Sequence, residues 1–182
     1  MAVEFRCATA RGRRYADRLR ADARDLMAAA ALPDCELSLS LVSDRAIRAL
    51  NRTYRGIDSA TDVLSFSQIE QASGAPANPN DVRNDPALTL GDVVISIDTA
   101  LAQARELRTQ PAARIRRLLI HGFLHLLGYD HERSSAEARK MFARERALAD
   151  KIIKDKISKP RSSSTRRKTV APRKVSRRRK SV

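Results

Sequence analysis

Every histidine in the chain lies within one short stretch, HGFLHLLGYDH, as His121, His125 and His131. The segment RIRRLLIHGFLHLL reads as a helix, and His121 and His125, four residues apart, then lie on one face about one turn of ~5.4 Å apart. Gly128 is expected to stop that helix in the left-handed conformation only glycine adopts cheaply, turning the chain so that His131 returns to the same point. Three imidazole nitrogens at about 2.0–2.1 Å fill three corners of the tetrahedron that Zn²⁺ prefers and leave the fourth for water. Structural zinc sites normally close with four protein ligands, so the open corner argues for chemistry. A zinc ion lowers the pKa of its water towards about 7 and stabilises charge developing on a carbonyl or phosphoryl oxygen, which makes hydrolysis the natural reaction class. One Zn²⁺ per chain is expected, with His121 counted as a catalytic residue as well as a ligand. A lone histidine would be read as packing or surface; three in one cluster reverse that reading. Asp130, beside His131, either orients a ligand imidazole or caps the turn.

The spacing H-x3-H-x2-G-x2-H is shared with metzincin proteases, which sets up a competing reading. Metalloproteases of the H-E-x-x-H class carry a glutamate general base directly after the first histidine, and here that position is Gly122. Between Arg114 and Leu127 there is no Asp or Glu at all. Glycine moves no proton, so the peptidase reading is the weaker one.

The elements that must position these histidines alternate between strand and helix patterns, as in α/β or α+β domains. Val3 to Cys7 is a short strand, and Arg13 to Ala31 a helix stopped by Pro33. Cys35 to Val42 alternates with period two, the mark of a half-buried strand. Ser43 is an N-cap for the helix DRAIRALNRTY, whose Ile47 and Leu50 share a face. Asp62 to Phe66 and Thr89 to Ile97 are two further strands, separated by a long loop dense in Pro, Gly, Asn and Asp. Asp98 is expected to cap the helix TALAQARELR. The histidine helix begins after Pro111, and Ser134 or Ser135 opens the helix SAEARKMFARERALADKII. The expectation is one α+β domain over residues 1–155, with a mixed sheet of about four strands flanked by about five helices.

Of the net charge of +15 on 182 residues, +12 sits in residues 156–182, which hold twelve Lys and Arg and no Asp or Glu and leave +3 for residues 1–155. With Ser, Thr and Pro and almost no large apolar residues, this tail is expected to be a disordered basic arm. It either contacts RNA backbones through counterion release or serves as a solvated solubility tail. Apolar content of 42% supports a cored globular body. No apolar run approaches the roughly 20 residues of a membrane span, and acidic residues within 1–32 argue against a transit peptide, so a cytoplasmic location is expected. Cys7 and Cys35 are far apart without a C-x-x-C pairing, and both read as reduced packing residues.

The stretch HGFLHLLGYDH resembles the H-G-x-x-H-L-x-G-Y-D-H signature of the YbeY family. Leu50 to Phe66, LNRTYRGIDSATDVLSF, and Thr89 to Ala104, TLGDVVISIDTALAQA, are similar to two further blocks of that family, in the same order, and the likeness runs over about residues 1–155. The resemblance implies a single-strand-specific, metal-dependent endoribonuclease that matures the 3′ end of small-subunit (16S) ribosomal RNA and takes part in ribosome quality control. Single-stranded rRNA and the ribosome or its proteins would be its partners. It also implies a mixed four-stranded sheet with the three histidines at one end of a cleft. A functionally important arginine of the family's Y-R pair falls on Arg55, where a guanidinium could stabilise the charge of a phosphoryl transition state. Asp62 is a candidate general base only through nearness in sequence to Arg55. The family block usually ends in F-P, whereas here Phe66 is followed by Ser67, which alters the exit from the strand. The competing class is a non-catalytic RNA-binding ribosome-assembly factor that retains a metal.

Overall fold

In the computed structural model, which describes residues 2–69 and 88–158, four strands and five helices are built around one mixed sheet. In chain order they are β1 (Ala2–Cys7), α1 (Ala10–Ala29), β2 (Glu36–Val42), α2 (Asp44–Arg55), β3 (Val63–Ser67), β4 (Thr89–Ser96), α3 (Ile97–Glu106), α4 (Pro111–Leu126) and α5 (Ser135–Ser158). The sheet order is β1-β2-β4-β3. The first three strands run parallel, and β3 closes the other edge antiparallel to β4, pairing Val63 with Ile95 and Phe66 with Asp92.

Strand chemistry explains which faces are covered. In β2 the alternation of Leu37, Leu39 and Leu41 with Ser38 and Ser40 sends three leucines into the main core and leaves the serines half-buried on the other face. β4 lies between two strands and is covered on both sides, so its Val93, Val94 and Ile95 are consecutive buried residues. Val93 and Ile95 join the large core formed with α1, α4 and α5. Val94 faces the opposite way, where Leu64, Ile47, Leu50 and Phe66 form a smaller cluster under α2. The sheet therefore separates α2 from α4.

Helix ends follow local chemistry. Thr9, Ser43 and Ser96 each accept a backbone N–H of the first turn of α1, α2 and α3. The cap of α3 is thus Ser96 rather than Asp98: the extended backbone before the helix ends one residue earlier than the pattern suggests. Asp98 falls inside the first turn and accepts from the Asp44 backbone N–H and from Arg11. The α5 cap is Ser134, whose hydroxyl accepts from Glu137 N. Pro111 opens α4 at a position that needs no N–H donor. The helix α5 continues to Ser158, past the expected end of the domain at residue 155. The rest of the basic arm, like residues 70–87 of the expected long loop, lies outside the described residues. Cys7 is half-buried and Cys35 buried, as packing residues would be. No helix among the described residues is long and apolar enough to cross a membrane.

Candidate metal centre

The site is built on α4, which crosses the sheet over β3 and β4 and is also packed by α1, α3 and α5. Its Ile115, Leu118, Leu119, Phe123, Leu124 and Leu126 are all buried, which fixes the rotation of the helix about its axis. Gly122 permits the close approach. A Cβ built there would lie 2.8 Å from Val93 Cγ1 and 2.9 Å from Ser65 Oγ. The position after the first histidine therefore points into the sheet, and a side chain capable of general-base work has no room there.

Beside these packed positions, His121 and His125 project half-buried from consecutive turns. The helix ends in a Schellman turn: Tyr129 N–H bonds to Leu124 O and Gly128 N–H to His125 O, with Gly128 at φ 81°. This reverses the chain and delivers His131 to the same spot. The ring centroids are 4.8 Å apart for His121 and His125, 5.1 Å for His121 and His131, and 5.3 Å for His125 and His131. One nitrogen from each ring fits a set lying within 4.8 Å of one another. The closest pair, His121 Nε2 and His125 Nε2, is separated by 3.2 Å. Two nitrogens at about 2.0–2.1 Å from one tetrahedral ion would be roughly 3.3–3.4 Å apart, so the donor set fits a zinc-sized cation.

The electrostatics favour the ligand form. Burial holds His125 below the ordinary histidine pKa, and the charges of His121 and His131 push it the same way. Asp130 opposes the shift, and the Arg55 guanidinium adds a smaller depression. His125 is thus kept neutral with a free lone pair near pH 7. The same balance puts Arg55, the exposed last residue of α2, within electrostatic reach of the cluster.

Other residues singled out from sequence have different duties. Asp130 accepts from Glu132 N at 2.9 Å and from Arg133 Nε at 3.1 Å, so it braces the turn before His131. Asp62 is not available as a base: Oδ1 accepts from Val63 N, and Oδ2 from Gln103 and Arg114, near the start of α4. Arg114 and His121 are seven residues apart, about 10 Å along the helix. Ser67, which departs from the expected proline, donates to the carbonyl of Leu126 at 3.1 Å and so satisfies an end of α4 beside the histidines.

Sequence reading did not single out Glu145. Its carboxylate on α5 is buried, accepts from Arg117 Nε at 2.8 Å, and lies 3.8 Å from His121 Nδ1. Burial alone would raise its pKa, but His121 and Arg117 outweigh it and hold the carboxyl below its ordinary value. The signal was present in the sequence as a carboxylate in the apolar stripe of an otherwise charged helix.

A mixed four-stranded sheet presenting three convergent histidines at the end of its central helix defines an α+β protein with the donor set of an open metal site. The model of the family described as Endoribonuclease YbeY matches residues 9–153, and the chain belongs to that nuclease family. An Endoribonuclease YbeY of Anaeromyxobacter sp. (strain Fw109-5) is 48% identical over 149 residues, covering 82% of this chain and 71% of that relative. One from Myxococcus xanthus (strain DK1622) is 46% identical over 146 residues, covering 80% of this chain but 46% of the longer relative. The solution structure of TM1509 from Thermotoga maritima superposes with a TM-score of 0.58 at 24% identity, covering 92% of this chain and 99% of that one, a likeness of fold.

Proposed function

We propose that this chain is a zinc-dependent endoribonuclease that cuts single-stranded ribosomal RNA in maturing the 3′ end of the small-subunit (16S) RNA and in ribosome quality control, in the cytoplasm. The observation that carries the metal-dependent part is the 3.2 Å separation of His121 Nε2 and His125 Nε2 with His131 beside them. Membership of the endoribonuclease family supports RNA as the substrate.

His121, His125 and His131 would hold one Zn²⁺ per chain. When bound, the ion supplies Lewis acidity and a lowered pKa for water at neutral pH. Arg55 would bind a phosphate oxygen through its paired N–H donors and offset the charge that grows on the phosphoryl group. The basic arm would add sequence-independent attraction to the RNA backbone that falls steeply with salt.

The test is cleavage of a labelled single-stranded rRNA fragment by the purified chain, with and without chelator, beside zinc analysis and a His121→Ala control. Chelator-sensitive cutting, lost in the variant, with about one zinc per chain, is expected. Bound zinc without cutting would favour a non-catalytic assembly factor, and a chain that binds no zinc would remove the basis of the proposal.

A further inference from the structure

The apolar stripe of α5 consists of Met141, Leu148 and Ile152, all buried. Glu145 stands four residues after the first and three before the second, on the same stripe, and is 6% exposed. A carboxylate in such a place costs free energy unless its oxygens are matched by donors. One oxygen is matched: Arg117 Nε donates to Oε1. Arg117 is itself largely exposed, so a pair with it alone could be made at the surface and gives no reason to bury the glutamate.

The reason lies at the other oxygen. Arg117 and His121 are four residues apart on α4, so both reach the same side, towards α5. His121 turns its Nε2 towards His125, which leaves Nδ1 facing Glu145 Oε2 at 3.8 Å. An imidazole that offers its Nε2 lone pair to a cation carries its proton on Nδ1, the atom nearest the carboxylate. A modest turn of the ring brings that separation to the 2.7–3.2 Å of a hydrogen bond.

We infer that Glu145 is a positioning residue for the metal centre: it accepts the Nδ1–H of His121, fixes the tautomer and orientation that present Nε2 to the cation, and is itself anchored by Arg117. The inference rests on the reading of the three histidines as a metal site. It adds a buried negative charge to a ligand set that otherwise consists of neutral rings. Partners of this kind typically change metal affinity by about 10- to 100-fold.

The experiment measures zinc affinity of the full chain by chelator competition, and the visible spectrum of the cobalt-loaded chain, for wild type, Glu145→Ala, Glu145→Gln and Arg117→Ala. Metal-free thermal melts run alongside. Glu145→Ala should bind zinc about 10- to 100-fold more weakly and shift the cobalt bands. Glu145→Gln, which keeps one acceptor oxygen and nearly the same volume, should fall between it and wild type, and it keeps the question open to test even if the alanine variant folds poorly. Arg117→Ala should weaken zinc binding less than Glu145→Ala does. Variants that melt earlier without metal yet keep wild-type zinc affinity and cobalt bands would show a purely structural role and overturn the inference. Failure of the wild type to bind either ion would instead overturn the metal centre, and the inference with it.

Discussion

Arg116 on α4 donates from Nε to Asp22 on α1 at 2.9 Å, and the two side chains are 10% and 1% exposed. The pair joins helices 94 residues apart in sequence and sits five positions before His121. It helps set the rotation of α4 that aims the histidines outward. Removing one partner of a buried pair strands the other charge, at a cost of about 3–5 kcal/mol. Asp22→Ala should lose that much stability in urea unfolding; a loss below about 1 kcal/mol would show that Arg116 finds an equivalent partner.

Zinc should stabilise the folded chain by mass action. At a free concentration 100 times its dissociation constant the gain is about 2.7 kcal/mol. Thermal melts of the chelated wild type should therefore rise on adding zinc, while His121→Ala and His131→Ala should respond far less. Equal shifts in all three proteins would place the effect away from the cluster.

For Arg55 the expectation separates chemistry from binding of metal. Arg55→Ala should cut RNA about 10²- to 10³-fold more slowly, the range for removal of one donor to a developing anion, with zinc content and melting unchanged. Arg55→Lys should recover only part, since an ammonium lacks the planar pair of donors. A variant that cleaves at the wild-type rate would take Arg55 out of the site.

Gly122→Ala inserts a methyl group into contacts of 2.8–3.1 Å with Val93, Ser65 and Val63. Overpacking of this kind costs about 1–3 kcal/mol, so the variant should melt earlier. Gly122→Glu should be worse still and should gain no activity on peptide substrates, because the new carboxylate faces the sheet. Appearance of peptidase activity would contradict the geometry.

The link after α2 gives a pH-dependent expectation. Arg48 donates to Asp58 through Nε at 2.9 Å and Nη2 at 2.8 Å, latching the segment that follows Arg55. Those hydrogen bonds are the main cause holding the Asp58 carboxyl below its ordinary value. The contribution is therefore complete above the unfolded carboxylate range near pH ~4 and is lost as pH falls through the depressed folded value. Melts of wild type and Arg48→Ala should differ slightly at pH 6, less in high salt, and converge in acid. A gap that widens in acid would reverse the sign.

Much of the site was legible because its donors are close in sequence. The i, i+4 spacing of His121 and His125 and the stop at Gly128 are local facts, and local backbone chemistry realised them as a helix and a Schellman turn. Strand alternation in β2 and the serine caps were equally readable. The exclusion of a glutamate after His121 was readable as chemistry, but its packing cause, Val93 and Ser65 beneath Gly122, was not, since those contacts come from other strands. Glu145 stood out only as a carboxylate in an apolar stripe; its contact with His121, like the engagement of Asp62 by Arg114 and Gln103, joins elements apart in sequence and could not be read there. Asp98 reads as a cap because the strand pattern gives no sign that the helix begins two residues sooner, at Ile97.

The three histidines come from one helix end and the turn after it, whereas Arg55 reaches them only through α2 and the β3/β4 ladder. Local turns close in microseconds or less, while pairings distant in sequence wait on loop closure and sheet assembly. The two halves of the site thus have different folding histories. In refolding from denaturant, capacity to take up zinc should therefore return before capacity to cut RNA.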